Sequence, residues 1–250
     1  MNSVRRPAVA GSFYPDDPEE LAAEVSRLLA EAPARAPAKA IVAPHAGYVY
    51  SGPIAASAFR CLSPAVRRVV LLGPSHFVRL HGFAAPRMDA FETPLGRVPL
   101  DVPADLPRND AAHAREHSLE VEVPFLQRTL GDFRLVPLAV GEAQPGQVAD
   151  ALADLWGGPE TAIVVSSDLS HYLPYAEARK VDAGTAGRIE RLVPVPEDAA
   201  CGAAPLNGFL FEAARRGMRG ELLDLRNSGD TAGDRGRVVG YGAFAFREVA

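Results

Sequence analysis

The feature that most narrows how this chain can fold is a repeated layout: a short apolar run, a turn, and then a histidine. Val69-Val70-Leu71-Leu72 ends in Gly73-Pro74 and delivers His76. The layout recurs in Ala40-Ile41-Val42-Ala43-Pro44-His45 and in Ala162-Ile163-Val164-Val165-Ser166-Ser167-Asp168-Leu169-Ser170-His171. Unbroken β-branched and aliphatic runs of this length read as strands buried on both faces, the mark of a parallel sheet covered by helices. In such sheets the loops beyond the carboxyl ends of neighbouring strands converge, and ligands collect there. Three histidines far apart in sequence are therefore expected to meet in space.

Helical patterns fill the intervals. Asp17 is placed to cap a helix that has Pro18 in its first position, Glu19 and Glu20 in its first turn, and Leu21, Val25, Leu28 and Leu29 on one face. A glycine-containing turn after His45 leads to a helix from Pro53 to Cys61, with Ser51 or Gly52 as its cap. Phe91 to Val98 reads as a tight hairpin at a sheet edge and Asp101 to Arg115 as loop. A helix from Glu116 to Leu130 carries Pro124 early or as a kink. Then come a strand over Phe133–Val140, a helix over Gly146–Trp156, the third histidine-delivering strand, and helices over Tyr175–Leu192 and Ala203–Arg216. Glu221–Leu225 and Val238–Phe246 close the chain as strands. Strands and helices alternate with no internal repeat, so one α/β domain over residues 1–250 accounts for the whole sequence, and that length is ample for one core.

Charge excludes some functions. With 26 basic against 31 acidic residues and no basic cluster, the chain is a poor match for nucleic acid or an anionic membrane surface. No apolar run approaches a membrane span and no signal-peptide core opens the sequence, so a cytoplasmic location is expected. Two cysteines cannot build a disulfide framework, and neither belongs to a Cys-x-x-Cys pair.

The chemistry-bearing side chains are few. Imidazoles at converging strand ends suit zinc, iron or copper. Asp168, three residues before His171, is placed to orient a ring nitrogen. Cys201 precedes the Ala203–Arg216 helix, where the helix dipole and free N–H groups favour a thiolate, whereas Cys61 reads as a small buried hydrophobe. His113-Ala-Arg-Glu116-His117 matches the inverted zinc-protease pattern, but no downstream ligand follows it and it falls at a helix start. His117 and Glu120 are better read as pocket-lining or helix-start residues. Tyr48, Tyr50 and Tyr172 flank the histidine loops as candidate cavity walls.

Several blocks together resemble the Memo family: Pro7-Ala-Val-Ala-Gly-Ser-Phe-Tyr-Pro15, Ala43-Pro-His-Ala-Gly-Tyr48, Gly73-Pro-Ser-His76, Glu116-His-Ser-Leu-Glu120, Ser166-Ser-Asp-Leu-Ser-His-Tyr172, Cys201-Gly and Gly240-Tyr-Gly-Ala-Phe. Their order covers essentially the whole chain. The family is similar in fold to class III extradiol ring-cleaving dioxygenases, so the resemblance implies a three-layer α/β/α arrangement with a central, largely buried mixed sheet. It also implies one metal held by His45, His76 and Cys201, with His171, Asp168 and His117 beside it as acid/base residues. In the dioxygenases the third ligand is a carboxylate; a thiolate there is softer and shifts preference toward copper or zinc while still permitting iron. The resemblance further implies a redox-linked role and a radical-SAM partner protein. The leading expectation is a non-haem, metal-dependent oxidoreductase, with iron first and copper or zinc as alternatives. It would act on O₂ or a small-molecule substrate, with His171, held by Asp168, as general acid or base and His117 positioning the substrate. The other readings are a non-catalytic metal-binding or partner-binding protein on the same scaffold, and a zinc hydrolase.

Overall fold

Because side chains alternate across a strand, each buried run sends its residues into two separate cores. The computed structural model, which describes residues 3–248, shows this division directly; residues 1, 2, 249 and 250 of the expected domain lie outside the described residues. Ile41, Val69, Leu71 and Val164 pack with Leu21, Val25, Ile54, Phe59 and Phe125 on one side. Val42, Val70, Leu72, Ile163 and Val165 pack with Leu152, Ile189, Leu206 and Phe209 on the other. The result is a three-layer α/β/α fold.

In chain order the elements are β1 (Val4–Arg5), α1 (Pro18–Glu31), β2 (Ala40–Ala43), α2 (Tyr48–Phe59), β3 (Arg68–Pro74), β4 (Phe83–Ala84), β5 (Ala90–Thr93), β6 (Gly96–Pro99) and α3 (Asp110–Ala114). There follow α4 (His117–Glu120), α5 (Val123–Thr129), β7 (Arg134–Val140), α6 (Pro145–Leu155), β8 (Thr161–Ser166), β9 (His171–Leu173), α7 (Tyr175–Glu190), α8 (Ala203–Arg215), β10 (Arg219–Asn227) and β11 (Val238–Arg247). The main sheet runs β10-β11-β2-β8-β3-β7-β4, with β9 paired to β11. Strands β2, β8, β3 and β7 are mutually parallel, and β4, β9, β10 and β11 join antiparallel, so the sheet is mixed. The four parallel strands end together, and the residues after them share one edge of the sheet. Among the described residues no helix is long and apolar enough to cross a membrane.

Helix α1 begins as its sequence dictates: the Asp17 carboxylate accepts from the backbone N–H groups of Glu19 and Glu20 at 2.9 Å. Other expectations need correcting. Helix α2 starts at Tyr48, five residues before Pro53, with Gly47 as its cap rather than Ser51 or Gly52. The proline removes the bond that would reach Val49 O, and Val49 is exposed, so water can take that carbonyl. The Phe91–Val98 hairpin is not at the edge of the main sheet. It forms a separate three-stranded sheet with β1, which pairs parallel to β5. The expected loop 101–115 contains α3. The helix expected over 116–130 is two helices, α4 and α5, with Pro124 in the first turn of α5, where its missing N–H has no intrahelical partner to lose.

One buried ion pair fastens the N-terminal arm to this framework. The Arg5 guanidinium meets the Glu120 carboxylate, both nearly inaccessible, and also donates to the carbonyls of His113 and Glu116. Glu120 further accepts from Ala8 N–H (2.8 Å), Val9 N–H (3.0 Å) and the Tyr14 hydroxyl (2.5 Å). Glu120 is therefore a structural hub and not a pocket-lining residue. Removing one partner from such a pair strands a buried charge, so Glu120→Ala is expected to lower stability by about 3–5 kcal/mol, with a smaller loss for Glu120→Gln. Urea unfolding of the two variants beside the parent checks this; equal losses would contradict it.

Candidate metal centre

Sheet register brings the first histidine to its neighbours. His45 lies two residues past β2, whose last residue, Ala43, pairs with Ser166 at the end of β8. The His45 backbone N–H donates to Asp168 Oδ1 (2.8 Å) and its Nδ1 contacts Ser166 Oγ at 2.8 Å. Its Nε2 lies 3.2 Å from Cys201 Sγ.

His76 is fixed just as firmly. Glu116 accepts from its backbone N–H at 2.6 Å and contacts its Nδ1 at 2.8 Å. The carboxylate can only accept, so Nδ1 carries the proton and Nε2 is left free as a donor atom. Two close approaches make this placement possible. A Cβ on Gly73 would come within 2.7 Å of Ser118 Oγ, so glycine lets α4 press against the end of β3. A Cβ on Gly202 would meet Ser167 Oγ at 2.7 Å, so glycine also lets the Cys201 turn sit against the end of β8. The Asp168 backbone N–H then donates to Cys201 Sγ at 3.3 Å.

One ligand atom from each of His45, His76 and Cys201 falls within 4.8 Å of the others. His76, Glu116 and His117 form a second such group. There, both Glu116 oxygens are already occupied by N–H donors of His76 and Ser118, which makes Glu116 the residue that orients His76. The imidazole cluster consists of His45, His76 and His117. His117 stacks on His76 (centroids 4.7 Å apart) and packs against Phe13 at 5.0 Å, so the N-terminal arm supplies a wall of the site.

His171 is not part of that ring cluster. It is exposed, packs on Tyr172, and its Nδ1 contacts Leu169 O at 2.9 Å. The expectation that Asp168 orients His171 is thus corrected: Asp168 turns the other way and holds the His45 backbone. Tyr48 is a buried core residue whose hydroxyl donates to Val121 O (2.7 Å), whereas Tyr50 and Tyr172 are exposed. In the protease-like motif His113 faces away from the cluster, buried with Nε2 against Ala84 O at 2.8 Å.

Burial sets the electrostatics. It pushes the His45 and His117 imidazoles below their ordinary value, and neighbouring His76 adds to this. It raises Asp168 to about 7 despite the His45 N–H. It raises the Cys201 thiol well above its usual range, reinforced by Asp168, so the helix-end thiolate expected from position is a neutral thiol here. Glu116 is the exception. Burial alone would raise it, but the His76 hydrogen bond and charge and the Ser118 and His76 N–H groups hold it at about 2.

A cleft of about 520 Å³ is lined by His81, Glu142, Glu197, Cys201 and Asn207. A hollow of similar size lined by Arg67, Arg97 and Arg134 lies at the opposite end of β3 and β7, away from these groups. Residue-level reading missed Glu122 and Ser166 as site-building residues, and saw Glu116 only as part of the protease-like motif. The available signal was three glutamates in seven residues, Glu116 to Glu122, set within an apolar segment.

Comparison with known proteins agrees with the motif order. A model of the Memo-like protein family matches residues 5–245. A MEMO1 family protein from Archaeoglobus fulgidus is 36 % identical, the match covering 98 % of this chain and 100 % of the relative. One from Aquifex aeolicus is 37 % identical, covering 95 % and 97 % respectively.

His113 gives a test of the structural role assigned to it. Burial pulls it to about 4 from the ordinary 6.5, against the opposing Ala84 carbonyl contact. The folded state therefore keeps it neutral while the unfolded chain takes up a proton below 6.5. The resulting stability is full above pH 6.5 and is lost as pH falls toward 4, by up to about 3 kcal/mol. His113→Gln is expected to flatten the pH dependence of urea unfolding across that window; an unchanged slope would refute this.

Proposed function

As the chain belongs to the Memo-like protein family, we propose that it is a mononuclear non-haem metal-binding protein and, more finely, a metal-dependent oxidoreductase. The observation that carries this is the convergence of His45, His76 and Cys201 from three distant segments, with a donor atom of each inside one 4.8 Å group.

The donor set fits a transition ion. Both imidazoles are held so that Nε2 is the free nitrogen: His45 has Nδ1 on Ser166 and His76 has Nδ1 on Glu116. The third donor is sulfur, so the set suits iron, copper and zinc and not magnesium or calcium. Bound iron, the first choice, would supply Lewis acidity and an exchangeable electron to O₂ or to a substrate oxygen.

The remaining residues divide the work. His171 has its Nδ1 committed to Leu169 O, which leaves Nε2 to accept or return a proton at the solvent-exposed edge of the site. Asp168, raised to about 7, keeps the His45 backbone in place and screens the thiol side of the site. His117, stacked on His76, is the residue placed to position a substrate beside the ligands. Of the proposed ligands, Cys201 also lines a cleft of about 520 Å³ with room for a small molecule.

Purified protein is expected to hold about one transition-metal ion per chain, lost in His45→Ala and in Cys201→Ser. Zinc loading near neutral pH should release about one proton in the parent, because the thiol is neutral beforehand and a ligating thiol is deprotonated, and none in Cys201→Ser. Metal analysis and titration in weak buffer check both; unchanged metal content in the two variants would sink the reading. After anaerobic loading with iron(II), O₂ uptake with at least one of a panel of catechols and thiols is expected. Tight metal retention with no uptake from any of them would instead leave a non-catalytic metal-binding protein.

A further inference from the structure

The Ser166 hydroxyl contacts more groups than it can serve as a donor. Its Oγ lies 2.6 Å from Ser118 O, 2.7 Å from Glu122 Oε1 and 2.8 Å from His45 Nδ1. A serine hydroxyl has one proton and two lone pairs. The Ser118 carbonyl can only accept, so Ser166 must donate there. If the proton went to Glu122 or to His45 instead, the Ser118 oxygen would face Oγ at 2.6 Å with no hydrogen between them. With the proton committed to Ser118, both remaining partners must donate to Oγ: an N–H from His45 and an O–H from Glu122.

We propose that Glu122 is a neutral carboxylic acid that, through Ser166, holds His45 as its Nδ1–H tautomer and so presets Nε2 as the donor facing Cys201. Glu122 is completely buried, and its second oxygen, Oε2, has no hydrogen-bond partner. Among the described residues no Arg or Lys forms an ion pair with it, and Asp168 is the one charged neighbour that acts on it. An isolated ionised carboxylate in such a place is expensive, and taking up a proton removes the charge. Burial accordingly pushes this carboxyl far above the usual range, with Asp168 adding to the rise and the Ser166 contact opposing it.

The assignment continues beyond His45 without conflict. With Nδ1 protonated, Nε2 is an acceptor, and the Cys201 S–H at 3.2 Å can donate to it. The Asp168 N–H donates to the same sulfur. Every polar group from Glu122 Oε1 to Asp168 N then has its role satisfied. Glu122 touches no reacting atom; it is a positioning residue, and its O–H stops Ser166 from turning its proton away from Ser118. The assignment's value for metal capture rests on the reading of His45 as a ligand, but the tautomer itself does not.

The test uses the full chain before and after zinc addition. In ¹⁵N spectra of the chelator-treated protein, His45 Nδ1 is expected to be pyrrole-like and Nε2 pyridine-like. A carboxylic-acid C=O band is expected in the infrared at neutral pH, and it should vanish in Glu122→Gln. That variant still has an N–H to give Ser166, so it should keep the tautomer and the parent's zinc affinity. Ser166→Ala should mix the tautomers and weaken zinc binding roughly 10–100-fold. An Nε2–H tautomer in the parent, or infrared spectra of parent and Glu122→Gln that show no acid band to lose, would overturn the proposal even if Ser166→Ala fails to fold. If the parent binds no zinc while both spectra come out as expected, the ligand reading fails and the proton assignment stands.

Discussion

A carboxyl group removed from water needs a counter-charge, a set of donors or a proton of its own, and the segment from Glu116 to Glu122 buries three of them. Each finds a different solution. Glu116 stays ionised on donors from the His76 loop and Ser118. Glu120 is paired with Arg5 and accepts from the N-terminal arm. Glu122 has only a serine to lean on. The three solutions pull three separate parts of the chain onto one short stretch: the end of β3, residues 5–14, and the end of β8. Satisfying Glu116 and Glu122 engages His76 and, through Ser166, His45, while satisfying Glu120 fastens the arm whose Phe13 packs on His117.

The same burial pushes four groups of the centre toward their neutral forms. His45 and His117 are driven toward the neutral base, while Asp168 and Cys201 are driven toward the neutral acid. Each shift has desolvation as its largest cause. Glu116, outside the proposed ligand set, goes the other way and holds its negative charge against the burial. At His45 and Cys201, two of the proposed ligands, burial thus acts in the same direction, toward the uncharged form.

The framework was readable from sequence wherever one local rule dominated. Apolar runs marked β2, β3 and β8, because strands buried on both faces have no other composition open to them. Asp17-Pro18 marked the start of α1 and Cys201-Gly202 the approach to α8. Reading failed where tertiary contacts overrode local rules. The exposed Val49 lets α2 run through Pro53, and the Arg5 anchor brings β1 to the hairpin so that it leaves the main sheet. The site divided in the same way. Strand-end position anticipated that His45 and His76 would lie together, but not that the His171 loop turns its ring onto Leu169 and Tyr172. Nothing in the periodicity could show that His117, from a helix start, would stack on His76, or that Ser166 would stand between two groups needing an acceptor.

The order of strands has a consequence for how the chain is made. Strand β11, the last of the described strands, lies between β10 and β2, with Phe244 beside Val42, so β2 lacks this neighbour until β11 has been made. Cys201 likewise leaves the ribosome 156 residues after His45. An emerging chain therefore contains both His45 and His76 long before it contains Cys201. On the proposed reading, ion capture would wait for the Cys201 turn, and a chain cut short before β11 leaves one side of β2 without its partner strand.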